Sequence, residues 1–386
     1  MLGLAQVLGG APICCILWFL FGFSVVFGDS IGGVIGNPGQ YAGFGDLFTD
    51  CYQDTRIPTS SYAMFQMMFA SIAPLLITGA YAGRLSVAAS LWFTALWEVL
   101  VYYPVAHWMW GDGWLRRMGA EDFAGGIVLH TTAGAASVIC AMVLGRRGGF
   151  EDAGGHFPPS SLALTTLGGG LLCTGWFGFT AGCVVKVDVG TRTAIAIVNT
   201  QLGAAASALV WIFMTWRKKR PTIADILNGA IAGLAGITPC AGFVYPWAAL
   251  IIAIVVGASS FEAVEILRFR WGLDDALDVS SVHGVTGIVG SIAIAFAANT
   301  KIGGHETGLV YGVDLGDSAK LLGVQLLAVV VTGAYSAIVT YGILKAFKRF
   351  GLYPSYDDLD SDEDDHYHGQ RDSSEFNLGS LLPGNL

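Results

Sequence analysis

Two imidazoles stand in otherwise apolar surroundings: His130 in Asp122-Phe-Ala-Gly-Gly-Ile-Val-Leu-His-Thr-Thr-Ala-Gly134, and His283 in Asp278-Val-Ser-Ser-Val-His-Gly-Val-Thr-Gly287. Hydrocarbon surroundings charge several kcal/mol for a polar side chain, so an ionisable ring kept there is a functional candidate by default. Two neutral imidazoles can share one N–H···N bond and still present a donor and a lone pair. Both histidines have glycine at i+4, Gly134 and Gly287, one turn away on the same helical face, and both segments open with an aspartate, Asp122 and Asp278.

The elements that must hold these rings are membrane helices. The chain has 386 residues, of which 54% are hydrophobic and 13% charged, with 53 glycines and a mean hydropathy of +0.60. Ordinary soluble domains do not combine these values, whereas a polytopic helical membrane protein does. The apolar runs are about 20 residues long and lack the polar alternation of barrel strands. They predict about ten spans, near 3–28, 60–82, 86–109, 122–145, 160–183, 193–216, 222–242, 246–267, 278–299 and 319–346. Met1 to Val7 opens an apolar run without a basic leader, so it reads as a retained span and not as a signal peptide.

Lysine and arginine set the expected orientation. With the amino terminus inside, the inner connections carry twelve of them, including Arg84, Arg146, Arg147, the Arg217-Lys-Lys-Arg220 run and Arg268, against seven on the outer side. The bias places both termini in the cytoplasm, most simply at the plasma membrane. His130 then lies on the fourth span and His283 on the ninth, on helices of opposite direction. An inverted repeat is implied, with the substrate route at its midplane. The expected fold is an all-α inverted-repeat bundle around a central pore, spanning 1–350, followed by an acidic cytoplasmic tail at 351–386. The net charge of −9 comes largely from that tail, where Asp357, Asp358, Asp360, Asp362, Glu363, Asp364 and Asp365 cluster. No CxxC or other metal-ligand spacing is present, and neither enzymatic chemistry, a cofactor, a metal nor nucleic-acid binding is expected. Haem ligation by the two histidines is a weaker alternative.

Several segments, taken together and in order, resemble the ammonium transporter, methylammonium permease and Rhesus family. They are Ile16 to Gly28, Phe65-Gln-Met-Met-Phe-Ala70, Pro104-Val-Ala-His-Trp-Met-Trp-Gly111, Asp122 to His130, Gly175-Trp-Phe-Gly-Phe-Thr-Ala-Gly182, Thr238-Pro-Cys240 and Asp278 to Gly290. The resemblance implies a trimer in which each subunit has its own hydrophobic pore, lined at mid-membrane by His130 and His283. It makes Phe69 and Phe179 the stacked gate at the outer mouth, and Trp110 the external recruitment residue that holds ammonium by cation–π attraction. Cys183 stands where the family commonly has serine at that site, and Asp122 matches the motif aspartate beneath it.

Family members have eleven spans, and this chain opens where their second begins, so a first helix is expected to be absent. Gly83 replaces the usual glutamate before Arg84, and Thr180 the usual asparagine. His107 is expected to be structural; His156, His305, His366 and His368 fall in polar segments. The tail resembles the family's regulatory tail, with Ser361 as a phosphate acceptor. The implied function is transport of ammonium or ammonia, and of methylammonium, by a homotrimer or a heterotrimer with paralogues in a lipid bilayer. The alternative is an ammonium sensor or non-transporting subunit that needs full-length paralogues.

Overall fold

The computed structural model describes residues 2–53, 55–155, 157, 159–185 and 191–352. The acidic run, Ser361, His156, His366 and His368 lie outside the described residues. Eight helices are long and apolar enough to cross a membrane: α1 (Gly3–Phe27), α2 (Thr59–Ala80), α4 (Gly126–Leu144), α5 (Leu162–Ala181), α6 (Thr191–Trp216), α8 (Pro246–Arg270), α9 (Ser280–Ala297) and α10 (Leu315–Arg349). Two more complete the bundle. One is α3, a continuous run over 87–109 interrupted by a π turn at Glu98–Tyr102. The other is the shorter α7 (Ile223–Ile237).

Local chemistry sets the helix ends. Ser86 accepts from the amide of Ala89 ahead of α3, and Ser161 from that of Leu164 ahead of α5. Thr222 and Asp225 form a reciprocal capping box on α7, and Asp314 accepts from Gly316 and Asp317 at the start of α10. Such caps satisfy amides that the helix cannot. They also explain why α10 starts before its apolar run at 319: the polar turn after Asp314 is already helical.

The crossing of α4 and α9 is the structural centre. A Cβ placed on Gly134 would lie 2.1 Å from the Cα of Gly284, and one on Gly287 would lie 2.6 Å from the carbonyl oxygen of Gly126 and 2.7 Å from the Cβ of His130. Contact positions rise along α4 as they fall along α9, so the two helices are antiparallel, as the inverted repeat requires. Close backbone approach of this kind drives helix association where lipid supplies no hydrophobic force. Both helices begin with a π turn, Gly126–Thr131 and Ser280–Val285, and each π turn contains its histidine. The wider turn offsets the face that follows it, a feature frequent at functional sites.

Around this crossing, α1 to α4 enclose an aromatic core with Trp18, Phe23, Phe93, Trp97, Tyr102 and Tyr103 fully or almost fully buried. α10 braces the first half through Trp97 Nε1 donating to Thr340 Oγ1 at 3.1 Å and Ser336 Oγ donating to the carbonyl of Thr132 at 2.7 Å. The outer surface is apolar where lipid is expected: Leu164, Leu171, Trp216, Val255 and Ile338 are all exposed.

Candidate functional site

Five of the expected site residues converge in one column. At one end of it the Trp110 indole closes α3 and donates Nε1–H to the carbonyl of Asp122 at 2.9 Å, which fixes the ring. Phe69 from α2 meets the indole edge-on, with centroids 5.6 Å apart and planes at 89°. On its other side Phe69 stacks on Phe179 of α5 at 4.3 Å and 20°. Below that pair lies His130, its centroid 6.5 Å from Phe179. His130 and His283 then meet through their Nδ1 atoms at 3.1 Å. Both rings are buried, at 1% and 8% exposure. The direct bond occupies the space an iron would need between these nitrogens, which removes axial haem ligation through them.

That bond has a consequence for the free edges. One ring must donate its Nδ1–H, which leaves a lone pair on its Nε2; the other accepts on Nδ1 and keeps its hydrogen on Nε2. The neutral pair thus carries one acceptor and one donor, and His130 Nε2 has no partner among the described residues. These are the two groups that an ammonia molecule complements.

The Asp122 carboxylate is turned away from the column. Its Oδ1 accepts from the amides of Gly125 and Gly126, both at 2.8 Å, and its Oδ2 from those of Ile127 at 2.8 Å and Val128 at 3.0 Å. Four orphan donors at the start of α4 are satisfied by one side chain. Gly125, at φ +110°, makes the reversal that a β-carbon would strain. The matching aspartate of α9 behaves differently. Asp278 pairs with Arg268 at 3.0 Å, and it is Asp275 that accepts from the amide of Ser280 at 2.8 Å.

Cys183 sits just past α5, with its thiol spent on the carbonyl of Phe179 at 3.4 Å. Thr180 shares a 2.7 Å hydroxyl bond with Thr200, tying α5 to α6. Gly83 has φ +72°, a conformation unfavourable for the glutamate expected there. Arg84 instead reaches the carbonyl of Gly145 at 2.6 Å and lies 3.8 Å from Asp274, which Arg147 grips at 2.6 Å. Burial raises the Asp274 carboxyl, but the Arg147 bonds and the charge of Arg84 outweigh it and hold it below its ordinary value. His107 is structural, with Nδ1 on the carbonyl of Val26 and Nε2 on Ser30 Oγ, both at 2.8 Å. His305 is exposed.

Two contributors escape sequence reasoning. Trp176 stacks on His130 at 5.7 Å and 16°, and is held by Nε1–H donation to Thr238 Oγ1 at 2.9 Å. Its signal was its position three residues before Phe179, which shares its face. Glu121, beside Asp122, is 3% exposed; one oxygen accepts from the amide of His305 at 3.0 Å and the other has no hydrogen-bond partner among the described residues. Burial pushes its carboxyl up to about 7, although the amides of His305 and Glu306 and the Arg192 charge act in the opposite sense. Because the folded value lies above the ordinary 4.5, folding favours the protonated form. Its favourable contribution is full below the unfolded value and is lost as pH rises towards 7. Glu121→Gln is therefore expected to gain about 2–3 kcal/mol on wild type between pH 4.5 and 8, measured by denaturation in detergent at both values.

Both the sequence and the fold recur in known proteins. The sequence matches the Ammonium Transporter Family over residues 4–372. It is 43% identical over 345 residues to ammonium transporter 1 of Dictyostelium discoideum, covering 89% of this chain and 73% of that protein. It is 38% identical over 370 residues to an ammonium transporter of Aquifex aeolicus, covering 95% and 84%. Among solved structures it superposes on Saccharomyces cerevisiae Mep2 with a TM-score of 0.82 at 29% identity, covering 91% of this chain and 81% of that one. A structure titled sensor Amt protein gives a TM-score of 0.79 at 27% identity, covering 91% and 86%. A helical bundle of this topology, matched almost from end to end, belongs to the Ammonium Transporter Family.

Proposed function

We propose that this protein carries ammonium across a membrane. The cation is gathered against the Trp110 face, passes the Phe69–Phe179 stack and loses its proton, and ammonia crosses beside His130 and His283. The observation that carries this reading is the 3.1 Å imidazole pair lying beneath a stacked phenylalanine pair that is itself edge-on to a fixed indole. Stacked rings exclude hydrated ions, the indole face attracts a bare cation, and the imidazole pair offers hydrogen bonds to a neutral amine. Methylammonium fits the same chemistry with one added methyl group.

The lysine and arginine bias supports cytoplasmic termini, and the plasma membrane is the location this reading takes. A trimer, formed with itself or with paralogues, is the assembly that membership of the family suggests. The test is reconstitution of the chain alone into proteoliposomes: saturable ammonium uptake above that of protein-free vesicles supports the proposal, and its absence overturns it. A sensor role is the second reading, favoured by the likeness to the sensor Amt structure. It is distinguished by ammonium binding to the purified chain without uptake.

A further inference from the structure

Glu98 is a fully buried acid that the pathway above leaves unused. It opens the π turn Glu98–Tyr102 inside α3, at a depth where a carboxyl is retained only for a reason. Oε1 accepts from the Tyr103 hydroxyl at 3.0 Å, and the Cys14 thiol is a second hydrogen-bond neighbour of the carboxyl. Thr94 and Tyr102 lie four residues before and after it; both hydroxyls are buried, that of Thr94 is a hydrogen-bond neighbour of Tyr81, and that of Tyr102 has no partner among the described residues. Positions 94, 98 and 102 follow one helical face.

This row faces α1. Gly10 abuts Thr94, Cys14 lies beside Glu98, and the Trp18 ring is 6.4 Å from that of Tyr102. A buried carboxyl one turn from a buried, unpartnered hydroxyl along an apolar seam is the kind of place that ordered water fills. The row also runs towards the recruitment residue, because Tyr102 stands eight residues before Trp110 on the same helix. The titratable groups around Glu98 are Cys14, Tyr102 and Tyr103, none of them cationic.

We propose that Glu98 accepts the proton that ammonium sheds beneath Trp110, through the Tyr102 hydroxyl and bridging water, on a route separate from the histidine pair. The inference rests on ammonium being the cargo. One N–H bond of the cation breaks, and its electron pair stays on nitrogen to give ammonia. The Tyr102 oxygen receives a proton through water as it releases its own, and an O–H bond forms on Glu98 Oε2. The acid then returns its proton past Thr94 towards the opposite face, which regenerates the carboxylate. Ammonia continues past the imidazoles.

The test measures current and ammonia flux together in proteoliposomes, for wild type, Glu98→Gln, Glu98→Asp and Tyr102→Phe. Glu98→Gln and Tyr102→Phe are expected to lower the current-to-flux ratio about tenfold or more, and Glu98→Asp to restore much of it. Adding ammonium to wild type is expected to shift a protonated-carboxyl infrared band that Glu98→Gln lacks. Tyr102→Phe keeps the ring and so reads the relay even if Glu98→Gln fails to fold. A wild-type ratio in Tyr102→Phe, or in folded Glu98→Gln, overturns the proposal. Wild type that carries neither current nor flux overturns the transport reading on which it stands.

Discussion

Asp122→Ala is expected to lose about 4–6 kcal/mol of stability, because it strips the acceptor from four buried amides at once. Hydrogen bonds to a charged acceptor contribute about 1.5–3 kcal/mol each, and the four share one carboxylate, so the total falls short of their sum. Water cannot easily replace it, since Asp122 is 7% exposed and the amides lie at the buried start of α4. Asp122→Asn keeps one carbonyl oxygen and is expected to lose about half as much, a graded pair that separates capping from simple loss of charge. Denaturation in detergent reads both values, and an alanine cost below about 1 kcal/mol removes the capping account. The consequence reaches the column as well, because the same segment supplies the Asp122 carbonyl that orients Trp110.

The column was legible where function depends on motif position and obscure where it depends on geometry. His130, His283, Phe69, Phe179 and Trp110 stand out from the sequence because polar or aromatic residues recur there in fixed company, and the structure brings all five together. The ten spans and the antiparallel histidine helices were equally readable from apolar length and from the parity of the count. Residues whose partners lie far along the chain were not. Trp176 depends on Thr238, 62 residues away, and Glu121 on the loop at His305, 184 residues away; neither pairing leaves a periodic trace. Asp278 shows the opposite failure: its place in the motif suggested a match to Asp122, but Arg268 claims its carboxylate and Asp275 does the capping. The π turns were invisible too, since one extra residue per turn barely alters an apolar pattern.

Removing both imidazoles is expected to reduce ammonium uptake about 50–100-fold. The magnitude follows from the two hydrogen bonds that the pair offers ammonia, about 1–1.5 kcal/mol each, hence about 2.5 kcal/mol on the crossing step. The space left by His130→Ala with His283→Ala is bordered by the Trp176 and Phe179 rings. An apolar void of that kind stays largely dry, so solvent does not supply the missing partners. Each single variant is expected to lose nearly as much as the double. The survivor keeps a buried Nδ1 that has lost its imidazole partner at 3.1 Å, and its tautomer is no longer fixed by that neighbour. Strong non-additivity in this double-mutant cycle, read as initial uptake rates in proteoliposomes, is the signature of a coupled pair. Additive single effects, or uptake in the double variant within about twofold of wild type, show instead that the rings act independently or only pack.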